Sequence, residues 1–195
     1  EIESGEIVSV CSNQVDQIIL GGKNKQVEVF ESTELAAKDF ESGFTAIKFQ
    51  SSVSKIEFNG TKFIVAASQD EHISVYNTES KKTINCKPGH EGCSAKSAQI
   101  DVSGQFLASP GTDGFLNIYK LSEDSATLLK KVKITDKKVG VNDRMNISWL
   151  ESESILVSGN KLMGVVAQGE TEKDWELDHQ EMISHDKEIT GILKI

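Results

Sequence analysis

A chain of 195 residues is long enough to bury a substantial core, and its formal charge of -9, with Arg144 as its one arginine, excludes a broad phosphate-binding surface. Its apolar runs, such as Ile18-Ile19-Leu20, fall far short of a helical membrane span. The odd set Cys11, Cys86 and Cys93, without a CxxC pair, is expected to stay reduced in an intracellular compartment.

Along the chain, short alternating or fully apolar runs are separated by Gly, Asn, Asp and Ser clusters, the pattern of an all-β protein. The first group of strands is predicted at residues 7–11, 17–20, 26–30 and 36–40, with Gly21-Gly22-Lys23-Asn24 supplying a turn that tolerates positive φ. The second spans 53–58, 63–67, 72–77 and 82–87, with Asn59-Gly60 as a hairpin signal. The third spans 95–102, 106–109, 115–119 and 128–134, turning at Ser103-Gly104 and Asp113-Gly114. A fourth, more degenerate group covers 146–150, 155–158, 162–167 and 175–177, with 168–173 as a charged loop, and residues 188–195 read as one more opening strand.

These groups are copies of one unit. Phe63, Asp70 and Tyr76 recur 43 residues on as Phe106, Asp113 and Tyr119, with Val75 matched by Ile118, and an internal period of this length belongs to propeller blades. Blades are expected at about 5–42, 53–90, 94–135 and 145–180, with a further one starting at 188–195. A ring of about seven blades needs roughly 300 residues. The chain is therefore expected to supply about four blades of a longer protein.

The third copy carries a polar constellation: Gly89-His90 before its first strand, Ser109 ending the second, Asp113 in the next turn and Tyr119 on the third. This resembles the WD-repeat family, in which a His, a Ser or Thr, a turn Asp and a strand Trp form a hydrogen-bonded chain within one blade. A buried carboxylate is tolerated only when several donors serve it, so the resemblance implies a structural role for His90, Ser109, Asp113 and Tyr119. Tyr119-Lys120 stands where the family has Trp-Asp; Tyr76-Asn77 and Phe30-Glu31 take that place in the two earlier copies.

A narrower likeness lies in Lys25-Gln26-Val27-Glu28-Val29-Phe30, Ile56-Glu57-Phe58-Asn59-Gly60-Thr61-Lys62, Gly89-His90-Glu91 and Phe106-Leu107-Ala108-Ser109. Further echoes are Leu128-Leu129-Lys130-Lys131, Ile147-Ser148-Trp149 and Lys173-Asp174-Trp175-Glu176-Leu177. Together they resemble the amino-terminal propeller of a replisome adaptor family, the acidic nucleoplasmic DNA-binding protein of animals and the chromosome-transmission-fidelity protein of yeasts. That resemblance implies a nuclear scaffold coupling the replicative helicase to DNA polymerase alpha-primase within a larger complex. The family's second propeller and DNA-binding box match no residue here.

Catalysis is not expected: no P-loop, GxSxG or HExxH string is present, and His185-Asp186 precedes a predicted opening strand. No cofactor is expected. Cys86, His90 and Cys93 are close in sequence but lack a fourth zinc ligand, and Lys130, Lys131, Lys133, Lys137 and Lys138 read as a guarded, solvated strand edge. A protein-binding platform fits better, because rigid strands hold recognition loops in place.

By the resemblance, the preferred face gathers residues 69–71, 90–92, 112–114, 142–144 and 184–186. Its charged members are Asp70, Glu71, Glu91, Asp113, Asp143, Arg144 and Asp186, and its acidity predicts a basic protein partner, with neither nucleic acid nor membrane. The alternative partner class is a coat, ciliary transport or other intracellular complex, which uses the same fold.

Overall fold

The computed structural model describes residues 6–13, 16–33, 43–60, 62–136, 139–140, 143–151, 153–159 and 162–182. They form sixteen strands in four four-stranded antiparallel sheets, each a simple meander in chain order. Sheet one holds β1 (Ile7–Ser12), β2 (Gln17–Gly22), β3 (Gln26–Glu31) and β4 (Phe44–Lys48). Sheet two holds β5 (Val53–Phe58), β6 (Phe63–Ser68), β7 (Ile73–Asn77) and β8 (Lys82–Cys86). Sheet three holds β9 (Gln99–Ile100), β10 (Phe106–Pro110), β11 (Phe115–Leu121) and β12 (Ala126–Lys133); sheet four holds β13 (Met145–Glu151), β14 (Ser154–Gly159), β15 (Leu162–Gln168) and β16 (Trp175–Met182).

The core lies between sheets rather than within any one of them. On β6, Ile64 and Ala66 join a cluster with Ile19, Val27, Val29 and Ile47 of sheet one. Phe63, Val65 and Ala67 join Ile100, Leu107 and Tyr119 of sheet three. Successive side chains of a strand point to opposite faces, and both faces of β6 are covered, so its sequence is apolar up to the closing Ser68 and all six residues are buried. A third cluster joins sheets three and four through Leu116, Ile118, Ile147 and Ile155, with Phe106, Trp149 and Trp175 meeting ring to ring at 5.9–6.5 Å. Each fully buried aliphatic side chain contributes about 1.5–3 kcal/mol.

Three strands depart from expectation, of which β16, predicted at 175–177, simply runs on to Met182. The strand that pairs with β3 is Phe44–Lys48, with Val27 opposite Ile47, whereas the predicted strand at 36–40 lies outside the described residues. Ala46, Ile47 and Phe49 supply this edge strand's core contacts, a signal that Gly43 at its start and the polar Gln50-Ser51-Ser52 after it obscure.

In sheet three the predicted opening strand at 95–102 shrinks to Gln99–Ile100. Ala95 N–H donates to Ser68 O of sheet two (3.1 Å) and Lys96 N–H to Pro110 O (2.9 Å), so the segment bridges two sheets before it pairs. It ends because the buried Asp101 carboxylate takes the N–H groups of Gln105 (2.9 Å) and Phe106 (2.8 Å).

Polar links also tie the opening strands together. Ile56 N–H donates to Ser9 Oγ (3.2 Å). Gln99 donates through Nε2 to Glu57 (2.5 Å) and accepts at Oε1 from Trp149 N–H (3.0 Å). Ser97 Oγ donates to Met145 O (3.1 Å), and Lys55 Nζ reaches Asn146 Oδ1 at 3.5 Å.

Candidate protein-interaction face

A meander of four strands sends its second turn and its exit connector to the same end as the start of its first strand. That topology brings residues 69–71, 90–92, 112–114 and 143–144 to one end of the stacked sheets. Asn142 and Asp186 lie outside the described residues.

The best-defined cluster at this end is built on His90, whose side chain is 0% exposed. Its Nδ1 lies 3.0 Å from both carboxylate oxygens of Asp113. Its Nε2 lies 3.0 Å from Ser109 O and 3.3 Å from Ser109 Oγ, and that hydroxyl's own proton goes to Ser97 O at 2.7 Å. Both ring nitrogens therefore have oxygen partners within the fold.

Burial pushes the Asp113 carboxyl upward, but His90, the Phe115 N–H and the Lys131 charge together hold it below the usual carboxylate value. Gly111 completes the pocket. A Cβ there would sit 2.3 Å from His90 Nδ1 and 2.7 Å from Asp113 Oδ1.

Tyr119 does not extend this chain to Ser109, where the family's Trp is expected to bond. Its hydroxyl, whose pKa burial pushes upward, donates to Pro88 O at 2.6 Å and accepts from Asn117 Nδ2 at 3.1 Å. The shorter, para-directed phenol thus clamps the connector before His90, and Asn117 adds a second bond to Gly89 O (3.1 Å). Asn117, Ser97 and the Pro88 carbonyl carry no sequence signal of this role.

The equivalent turn in sheet two is closed differently. Ile47 stands 43 residues before His90, so no histidine reaches back, and Asp70 instead pairs with His72 two residues on, Nδ1 to Oδ1 at 3.1 Å. Its other oxygen accepts from Gln50 N–H (3.1 Å). Burial opposes ionisation of Asp70, and hydrogen bonds from Ser68 and His72 outweigh it, leaving the carboxyl below its ordinary value. Asp70 and Asp113, 19% and 18% exposed, are thus already engaged by groups of the chain itself.

The outward acids are Glu71 and Glu91. Glu71 accepts from Gly92 N–H, and Gly89 packs so tightly on its backbone that a Cβ would lie 2.4 Å from Glu71 O. Glu91 is exposed. With His72, Cys86 and Lys87 they line a cleft of about 420 Å³. Cys86 is no nucleophile there, because burial pushes its thiol up to about 12.

A second cavity, about 400 Å³, opens where the first strands begin. It receives Lys55 from sheet two, Lys96 from the connector before β9, and Asp143, Arg144 and Asn146 from the start of sheet four. Asp143 is tied down by Gly140 N–H (2.7 Å). The acidity expected of the face from Asp143 is thus outnumbered here by three cations. Lys55 and Lys96 escape a sequence reading because only the assembled sheets bring them beside Arg144.

Comparisons with known proteins follow the same architecture. No family model matches the chain. Among curated proteins it is similar to a p21-activated protein kinase-interacting protein 1-like protein of Danio rerio, 28% identical over 156 residues, covering 74% of this chain and 40% of that protein. The Gallus gallus counterpart is 25% identical, covering 60% of this chain and 30% of that protein. The TSET complex member tstF of Dictyostelium discoideum is 34% identical over 77 residues, which is 38% of this chain and 7% of that protein. The matched segments thus cover at most 40% of the length of these relatives.

Among solved structures, Kluyveromyces lactis Hsv2 superposes with a TM-score of 0.65 at 14% identity, covering 90% of this chain and 61% of that one. The WD40 β-propeller domain of Doa1 gives 0.70 at 16% identity, covering 91% and 54%. The fold is that of a WD-repeat β-propeller, all-β, with four blades described here.

Proposed function

We propose that this chain is a non-catalytic protein-binding platform, part of a larger assembly, that recognises a partner at the loop end of its blades. The observation that carries the reading is the contrast between Glu91 and its neighbours. His90, Asp113 and Tyr119 lock the connector from within, while Glu91 and Glu71 face outward across a cleft. Loops fixed in this way bind without an ordering cost. The names of the relatives are consistent with it, two referring to interaction with a kinase and one to membership in a complex.

The partners and nuclear location implied by the replisome resemblance rest on the sequence strings alone. A pull-down with the protein, scored for p21-activated kinase, for replicative helicase and for polymerase alpha-primase, separates the readings. With the purified partner in hand, Glu91→Lys is expected to weaken binding of a basic partner severalfold at low ionic strength, with the difference shrinking as salt rises. Unchanged affinity at low salt overturns the role of this cleft. Asp70 is unsuitable for the test because it holds Gln50 and His72 in place.

A further inference from the structure

We propose that the cavity at the head of the opening strands is a second recognition site, of opposite sign to the Glu71–Glu91 cleft, which takes an acidic segment of a protein partner. This deepens the platform reading and rests on it. In a chain of net charge -9, the one arginine and two lysines from three different blades converge on one cavity of about 400 Å³. The rest of its lining is mostly uncharged and polar, including Ser9, Ser54 and Gln69. The single carboxylate among the described lining residues, Asp143, is already engaged by the backbone of its own loop.

A separate observation points to an absent acceptor. Asn146 Oδ1 faces Lys55 Nζ at 3.5 Å, while its Nδ2 is buried without a hydrogen-bond partner. A buried donor left in that state costs free energy. A carboxylate entering between Lys55, Arg144 and Asn146 satisfies it and meets the positive charge together. An extended acidic peptide fits this site better than a compact anion because the cations come from three separate blades.

The test is fluorescence anisotropy with a labelled peptide of alternating Glu and Ser, titrated with the protein at low salt. Binding is expected, weakened tenfold or more by Arg144→Glu and by Lys96→Glu and unaffected by Glu91→Lys, with melting curves of all variants matching the parent. Since Lys55 also bonds Asn146, Lys96→Ala serves as the milder control and is expected to cost severalfold. No binding, or binding indifferent to these cations, overturns the proposal. So does displacement of the peptide by inorganic phosphate at matching concentration, which makes the cavity a phosphate site. A native partner sensitive to Glu91→Lys but indifferent to Arg144→Glu removes this site and leaves the platform standing; indifference to both removes the platform itself.

Discussion

At the scale of single residues, the polar cluster divides into what the sequence displays and what it hides. His90, Ser109 and Asp113 could be named in the sequence because their types and order resemble the WD-repeat pattern, and the resemblance implied that a buried turn carboxylate is served by such donors. The Tyr119 contact could not: its acceptor is a backbone carbonyl, Pro88 O, which every residue possesses.

Gly111→Ala is expected to destabilise the protein by about 1–3 kcal/mol, since the new methyl collides with the His90 ring; thermal melting measures it. The Asp113 carboxyl is held low in the folded state, so its contribution is present above the ordinary carboxylate range and is lost as pH falls through the depressed folded value. Asp113→Asn should flatten that acid limb of the stability curve while lowering stability at neutral pH. Glu57 has the reverse sign. Burial raises its carboxyl despite the Gln99 bond and the Lys55 charge, so stability declines as pH rises from the unfolded value towards the folded one. Glu57→Gln, which keeps a partner for Gln99, is expected to gain roughly 0.5–1 kcal/mol at neutral pH.

At the scale of elements, the central strands and edge strands such as β5 (Val53–Phe58) and β8 (Lys82–Cys86) were legible, whereas β4 and β9 were not. β6 and β10 are buried on both faces, and apolar apart from Ser68 and Ser109, because a sheet packs on each side, and that doubly buried pattern shows whatever the neighbours are. An edge strand such as β4 is identified only by the strand it pairs with. The short β9 is hidden for another reason: its preceding residues spend their N–H groups on Ser68 and Pro110, in two different sheets.

The outer strand β12 keeps Lys130 and Lys133 exposed at its edge, where charge discourages pairing with another chain. Between sheets three and four, Trp175 is 1% exposed and stands edge-on to both Phe106 and Trp149. Trp175→Ala is expected to cost about 3–5 kcal/mol, read as a lowered denaturation midpoint with Trp149 fluorescence as the probe.

At the scale of the whole molecule, recurrence at an interval of 43 residues disclosed the blade architecture, yet the arrangement of charge around the axis emerges only from assembly. Lys55, Lys96 and Arg144 belong to three blades and share no motif. Blade-to-blade cohesion is likewise invisible in the chain: Gln99 connects Glu57 on one side to Trp149 on the other. Gln99→Leu strips both of a partner and is expected to destabilise by about 2–3 kcal/mol, with faster hydrogen exchange at the Trp149 amide. Its effect and that of Glu57→Gln should be non-additive, since the two side chains are in direct contact.

The bond from Lys55 to Asn146 has a kinetic meaning. Its two residues are 91 apart in sequence, whereas most of the hairpins close over a few residues, so local meanders can form long before this link does. It joins only when three blades already stand in their final curvature, which makes it a reporter of the last step of assembly. Lys55→Met should accordingly quicken unfolding and leave the folding rate nearly untouched, the signature of a contact absent from the transition state.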